Sequence, residues 1–344
     1  MSVVVGMSGG VDSAVSAALL KELGEQVIGV TLHFSQTSSC CDLGSVRRAK
    51  AQCEHLGIAW HEVDLQESFL HNVIEPFWCA VRAGATPNPC VLCNERVKWQ
   101  GLLDVAHELH SDLIASGHYA GIAHGPDGDQ ICRGADTAKD QSYFLYRLSA
   151  EERNRAVFPL ASRMKREVVA LAATWFSDDL LARHESQDLC FVEGAVRDEI
   201  ASRLPGPPGD VVLSDGTVIG RHAGLAAYTV GQRSGLGIGG GARLYVTAKR
   251  PRENKLVVGQ RSECLRDSFD ATDLMWQHIP TSESCQFVAD VVTRYRSKPV
   301  TGRVDRISRD RVSVHLTEPV FAVTPGQAVV FYGNCCILGG GTIV

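Results

Sequence analysis

The stretch that most constrains this 344-residue chain is its first two dozen residues. Val3, Val4 and Val5 form a β-branched run that ends in Gly6, and from Ser13 onward Ala14, Ala17, Ala18 and Leu20 lie among good helix formers before Gly24 stops them. Between the two runs stands Gly6-Met7-Ser8-Gly9-Gly10-Val11-Asp12-Ser13. A glycine-rich turn from a strand into a helix points main-chain N–H groups and the positive end of the helix dipole at one spot, which favours an anion. Gly9 and Gly10 let the backbone approach a phosphate, and Ser8 and Ser13 offer hydroxyl donors. Asp12 needs a cation between itself and a phosphate, so Mg²⁺ is implied beside the nucleotide. No Gly-Lys-Ser/Thr ending follows, which sets this loop apart from the usual kinase or GTPase loop.

The alternation continues beyond the loop. Residues 27–34 and 59–63 read as strands, 45–56 as a helix closed by Gly57, 97–109 as a helix before a strand at 113–116, and 165–175 as a further helix. A βαβαβ order predicts a doubly wound, mostly parallel sheet. The breaker cluster Pro205-Gly206-Pro207-Pro208-Gly209 ends this texture. Beyond it come short β-like runs, and those at 285–294, 300–304, 312–316, 328–332 and 336–338 predict a small, closed or nearly closed β-barrel. The expected division is a nucleotide-binding catalytic domain over 1–204, a central β-rich domain over 205–265 and a C-terminal barrel over 266–344.

No apolar run approaches the ~20 residues that span a bilayer, so no membrane partner is expected. Met1 passes directly into the first strand without a basic leader, and a cytoplasmic enzyme follows as the expectation. In that compartment most of the twelve cysteines should be reduced. The net charge of −5 argues against a nucleic-acid partner, but it is unevenly spread: residues 241–311 carry fourteen Lys and Arg against nine Asp and Glu. That region alone can face a polyanion.

Two thiols stand three apart in Thr86-Pro87-Asn88-Pro89-Cys90-Val91-Leu92-Cys93-Asn94, just before a predicted helix whose N-terminus would lower a thiol pKa. A third, Cys190, follows Ser186-Gln187-Asp188-Leu189. Cys40, Cys41, Cys335 and Cys336 read as packing residues, the last two alternating along a barrel strand. Cys53, Cys79, Cys132, Cys264 and Cys285 fall in no motif.

The Ser-Gly-Gly-Val-Asp-Ser loop resembles that of the PP-loop ATP pyrophosphatases. Together with Gly117-His118-Tyr119-Ala120, Lys139-Asp140-Gln141-Ser142-Tyr143-Phe144-Leu145, Phe158-Pro159-Leu160, Tyr228-Thr229-Val230-Gly231-Gln232-Arg233 and Pro325-Gly326-Gln327, it resembles the tRNA-specific 2-thiouridylase family, in order from residue 3 to 343. The resemblance implies that ATP adenylates the C2 oxygen of wobble uridine 34 in tRNAs for lysine, glutamate and glutamine, and that sulfur then displaces AMP. It implies ATP contacts from Gly6 to Ser13, at Leu32 and at Gly117. Asn88, Pro89 and Cys90 would meet the extruded target base. Lys139, Asp140 and Gln141, and Arg294 with Tyr295, would meet the tRNA elsewhere.

By the same resemblance Cys190 carries sulfur as a persulfide received from a donor protein. Cys93 attacks its terminal sulfur or resolves it, leaving a Cys93–Cys190 disulfide for reduction. Cys90 stands where many members have an aspartate, a candidate acid/base that an unperturbed thiol cannot replace. The three cysteines equally suit three corners of a [4Fe-4S] cluster, as in related tRNA thiolases. His118 stays unassigned between an acid/base and a structural role. The rival readings are an amidating PP-loop synthetase, which needs neither Cys93 nor Cys190, and a non-catalytic RNA-binding relative.

Overall fold

The computed structural model describes residues 1–34, 43–126, 128–181, 189–192, 194–238, 243–278 and 286–344. β1 (Ser2–Gly6), α1 (Val11–Glu22), β2 (Gln26–His33), α2 (Leu43–Leu56) and β3 (Ala59–Asp64) alternate as the sequence predicts. Helical chain follows in α3 (Gln66–Phe69), a π turn and α4 (Glu75–Arg82). After an extended turn, α5 (Pro89–Cys93) runs through a second π turn into α6 (Trp99–Glu108). Then come β4 (Leu113–Ala115), the hairpin β5 (Ala120–Ala123) and β6 (Gln130–Arg133), α7 (Ala150–Arg155), β7 (Ala156–Val157), α8 (Lys165–Trp175) and α9 (Val196–Arg203).

Five of these strands form a parallel sheet in the order β3-β2-β1-β4-β7. The side-chain period of two divides β1 between two cores. Val4 faces the apolar cluster that also buries Phe69, Cys93 and Trp99, while Val3 and Val5 face a second cluster with Ala14, Ala17 and Cys53. The order reverses between β1 and β4, and doubly wound sheets bind ligands outside the carboxyl ends of the strands at such a point. The glycine-rich loop lies there.

A four-stranded sheet, β10 (Tyr245–Arg250), β11 (Lys255–Gly259), β8 (Gly209–Val212) and β9 (Val218–His222), makes the central unit. The C-terminal unit is a six-stranded antiparallel barrel of β12 (Leu265–Trp276), β15 (Arg311–Phe321), β14 (Val300–Ser308), β13 (Gln286–Val292), β16 (Ala328–Gly333) and β17 (Cys336–Ile343), closed by the pairing of β12 with β17. Strand β12 has no counterpart in the sequence reading. Its polar run Arg-Asp-Ser-Phe-Asp breaks the alternation because it crosses bulges between Arg266 and Ser268 and between Thr272 and Met275.

The barrel is not an isolated appendage. Hairpin β5–β6 of the first unit extends its sheet at β17, where Cys132 pairs with Cys336 and the two form a disulfide. This corrects the expectation that Cys336 is a plain packing residue and gives Cys132, which falls in no motif, a partner. Cys335 is also not in a strand: it takes φ 70° in the turn before β17. Buried Gln277 at the end of β12 accepts from the N–H of Ile131 at 2.9 Å and donates to the carbonyls of Leu145 and Tyr146 at 3.2 and 3.0 Å. Arg147 joins Glu95 at 2.9 Å, on the turn after α5, to Asp273 of β12 at 3.0 Å. Tyr143 donates to the carbonyl of Ala328 at 2.9 Å.

The tightest seam for function is a clamp on the turn before α5. The N–H of Thr86 donates to the carbonyl of Pro325 at 3.0 Å, and the Gln327 amide donates to the carbonyl of Thr86 at 2.7 Å. Gly326 between them has φ 90°, and a Cβ there would come within 2.9 Å of Ala85 and of the Thr86 nitrogen. Gly326→Ala is therefore expected to lower stability by about 1–3 kcal/mol. The check is the midpoint of urea unfolding, and an unchanged midpoint would mean that the clamp is slack.

Candidate active site at the carboxyl ends of the parallel strands

The loop after β1 is braced on every side. The Met7 N–H donates to the carbonyl of Val30 at 2.7 Å, Ser8 N–H to Ser13 Oγ at 3.2 Å, and Ser13 Oγ to the carbonyl of Gly10 at 3.1 Å. Gly9 takes φ 71°, and a Cβ there would lie 2.4 Å from the Ser45 carbonyl oxygen on α2. Fully buried Gln52 holds the Gly9 carbonyl from the same helix at 3.3 Å. Gly10 caps α1, so the N–H groups of Val11, Asp12 and Ser13 fall in the first turn, where no intrahelical acceptor exists. Gly117, after β4, packs so closely that a Cβ would meet Asp12 C and Ser13 N at 2.9 Å. Of the expected nucleotide residues, the structure thus brings together those from Gly6 to Ser13 and Gly117. Leu32 near the end of β2 is buried, its side chain turned into the core against the Gly101 position.

Asp12 does not wait for a metal to be neutralised. Lys165, the first residue of α8, places Nζ 2.8 Å from both carboxylate oxygens, and Tyr119 donates its hydroxyl to Oδ1 at 2.9 Å. The cation missing from the loop sequence is supplied from 153 positions away. Helix-start pattern alone marked Lys165, and nothing local could pair it with Asp12.

The thiol side is built on α5. Asn88 caps this helix by accepting from the Cys90 N–H at 3.1 Å, and buried Asn94 donates back to the Cys90 carbonyl at 3.0 Å. Cys93 is 7% exposed in the large apolar cluster, and Cys190 and Phe191 pack on that same cluster. Phe191 sets its ring edge-on to Phe69 and Phe77, with centroids at 6.0 and 5.3 Å, which carries Cys190 to the helices that flank α5. Cys90 is half-buried. Among the described residues no group of three or more His, Cys, Asp or Glu is placed to hold a metal ion. The disulfide seen among the described residues is Cys132–Cys336. Residues 186–188, Cys40, Cys41 and Cys285 lie outside the described residues.

The expected tRNA contacts divide. Tyr295 packs against Phe144 with the rings tilted and centroids 4.4 Å apart, and Arg294 and Asn88 both lie close enough to Tyr143 to act on its hydroxyl. Arg294, Tyr295 and the Asn88–Cys90 turn therefore share one face. Asp140 and Gln141 point inward. Asp140 accepts from the N–H groups of Gly134 and Ser142, both at 3.1 Å, and burial raises its carboxyl pKa. Gln141 accepts from the Tyr119 N–H at 3.1 Å and so braces the residue that holds Asp12. Lys139 follows the turn that Asp136 caps, where its N–H meets the Asp136 carbonyl at 3.0 Å.

His118 is held among aromatic rings. Trp99 and Phe158 flank its ring at 6.5 and 6.4 Å, and Ser116 Oγ meets Nδ1 at 2.8 Å. Burial, helped by the nearby charge of Lys98, pushes its pKa down to about 3. This favours the neutral ring.

No described helix is long and apolar enough to cross a membrane. The family descriptions that match are "tRNA methyl transferase HUP domain" over residues 1–194, "tRNA methyl transferase PRC-barrel domain" over 197–260 and "Aminomethyltransferase beta-barrel domain" over 266–343. A protein named tRNA-specific 2-thiouridylase MnmA from Chloroflexus aurantiacus is 43% identical, covering 99% of this chain and 98% of its own. One of the same name from Methylococcus capsulatus is 43% identical over 99% and 95%. The domain descriptions and the relatives' names differ on the group transferred, and the names belong to full-length relatives. Of solved structures, the U34-tRNA thiolase NcsA from Methanococcus maripaludis aligns at 20% identity with a TM-score of 0.36, covering 60% of this chain and 67% of that one. That likeness is too remote to bear on mechanism.

Because the folded pKa of His118 lies below the unfolded value of about 6.5, the unfolded state binds the extra proton. This group's contribution to stability is complete above pH 6.5 and is lost as pH falls toward 3. The His118 ring resonance should stay at its neutral position from pH 8 down to pH 5, and a midpoint near 6.5 would contradict the enclosed ring.

Proposed function

This chain belongs to the tRNA-specific 2-thiouridylase family, and from that premise we propose that it replaces the C2 oxygen of uridine 34 in tRNA with sulfur, using ATP to make that oxygen a leaving group. The observation that carries the thiol chemistry is the packing of Cys190 and Phe191 on the cluster that buries Cys93. An amidating synthetase has no use for this pairing.

ATP lies with its phosphates over the Gly6–Ser13 loop, the N–H groups of α1 facing them. Asp12 is the residue that would hold the Mg²⁺ of MgATP, which supplies charge neutralisation on the phosphates. Lys165, within reach through Asp12, adds positive charge where the Walker-type lysine is absent. The C2 oxygen of the extruded base attacks the α-phosphorus, the α,β bond breaks and pyrophosphate leaves. The terminal sulfur of a Cys190 persulfide then attacks C2 and AMP departs. Cys93 as thiolate attacks Cys190 Sγ; the S–S bond breaks and its electron pair stays on the sulfur now bonded to C2. A Cys93–Cys190 disulfide remains and a two-electron reductant reopens it. The scheme runs through the persulfide and calls on no iron–sulfur cluster.

The tRNAs for lysine, glutamate and glutamine are the expected substrates, a persulfide-bearing protein the sulfur donor, and the cytoplasm the compartment. Asn88, Pro89 and Cys90 face the base. Tyr295, with Arg294 beside it, suits base stacking and phosphate pairing. Asp140 and Gln141 act from behind, fixing Tyr119 and the turn that displays Lys139.

Mass spectrometry of uridine 34 after incubation with ATP, Mg²⁺ and a persulfide donor tests the scheme. Cys93→Ser and Cys190→Ser should abolish 2-thiouridine while Cys90→Ser retains it. Lys165→Met should slow thiolation about 10²- to 10³-fold, the range for losing one charge-stabilising donor. Full thiolation by Cys190→Ser would reject the persulfide role. Raising salt from 50 to 200 mM should weaken tRNA binding at least about tenfold while ATP binding changes little; equal responses would remove the barrel from the RNA interface.

A further inference from the structure

Away from the phosphate loop, a cavity of about 480 Å³ opens where the three units meet. Residues 84–86 bound it on the side of the first domain, Lys249 on that of the central sheet, and Arg266 and Pro325 on that of the barrel. Lys249, on β10, buries its ammonium there without a hydrogen-bond partner. Burial alone pushes its pKa down to about 8, with no carboxylate near enough to lift it, although the C-terminal residue Val344 lines the same cavity. The group is thus still mostly protonated at pH 7. Arg266 spends Nη1 on the carbonyls of Glu263 and Leu265, at 2.9 and 2.8 Å, and forms no ion pair among the described residues.

A buried cation without a counter-charge is costly, and it is kept where a ligand supplies the missing charge. We propose that Lys249 and Arg266 form a binding site for a phosphate group. A point-charge ammonium from the central sheet and the planar guanidinium of exposed Arg266 from the barrel line the one cavity, and a dianion held between them would neutralise both. Neither residue touches the phosphate loop or the thiols, so the site stands apart from the thiolation reading. Its occupant lies against Thr86, the residue clamped by Pro325 and Gln327, and bridges the central sheet to the barrel beside the turn that enters α5.

The test is thermal unfolding of the full chain at pH 7 and constant ionic strength, with inorganic phosphate titrated against chloride. In the wild type, phosphate at roughly a hundred times its dissociation constant should raise Tm by several degrees. Lys249→Met should lose that increment while its Tm in chloride stays equal or rises, since the uncompensated charge is gone. Arg266→Gln, a second variant that leaves the buried amine in place, should reduce the increment. A parallel titration with a short anticodon-arm RNA separates the sources: an increment that Lys249→Met removes with RNA but not with free phosphate assigns the site to the RNA backbone. An increment unchanged in both variants, or none in the wild type with either ligand, overturns the proposal.

Discussion

Two hydrogen bonds across the first domain and the barrel, Thr86 to Pro325 and Gln327 to Thr86, fix the turn that leads to Cys90 and Cys93. The helix that bears Cys90 and Cys93 begins three residues later, capped by Asn88. A turn holding two prolines has few internal bonds of its own, and ordering it costs about 1–2 kcal/mol of backbone entropy per residue. The barrel offsets that cost from outside. Arg147, bridging Glu95 and Asp273, fixes the turn that follows α5 to β12. The barrel is therefore part of the scaffold of the candidate site.

At the other end of the site the constraint is electrostatic. A carboxylate in the first turn of a helix is favoured by the dipole, yet it repels the phosphates that the same turn attracts. Lys165 and Tyr119 resolve this by holding Asp12 from outside the loop, and Gln141 holds Tyr119. A chain of polar contacts thus links the Lys139-Asp140-Gln141 turn to the phosphate loop. Two residues of that string serve geometry, which explains why they are turned away from solvent.

The sequence made the first half of the architecture legible because its signals are local. Val3 to Val5 alternate between two cores, Gly9 needs a positive φ, and Gly10 begins the helix, all within ten residues. The barrel strands with clean alternation were legible for the same reason. What could not be read depends on partners far away in the chain. Strand β12 carries polar residues at its bulges, and Lys165 meets Asp12 across 153 positions. Gln327 meets Thr86 across 241, and Cys132 meets Cys336 across 204. The Pro325-Gly326-Gln327 string marked the family without disclosing that it is a clamp. His118 shows the opposite limit: a polar residue in a motif string whose aromatic surroundings lower its pKa.

The account stands or falls on whether Cys93 and Cys190 come within bonding reach on the shared apolar cluster. Brief oxidation of the intact protein with diamide, followed by alkylation and peptide mapping without reduction, measures this directly. A cross-linked pair of peptides joining Cys93 to Cys190, in addition to the Cys132–Cys336 pair, is the expected result. If Cys93 and Cys190 are recovered only as separately alkylated thiols, or bonded to other cysteines, the two do not meet and the sulfur-transfer scheme is contradicted.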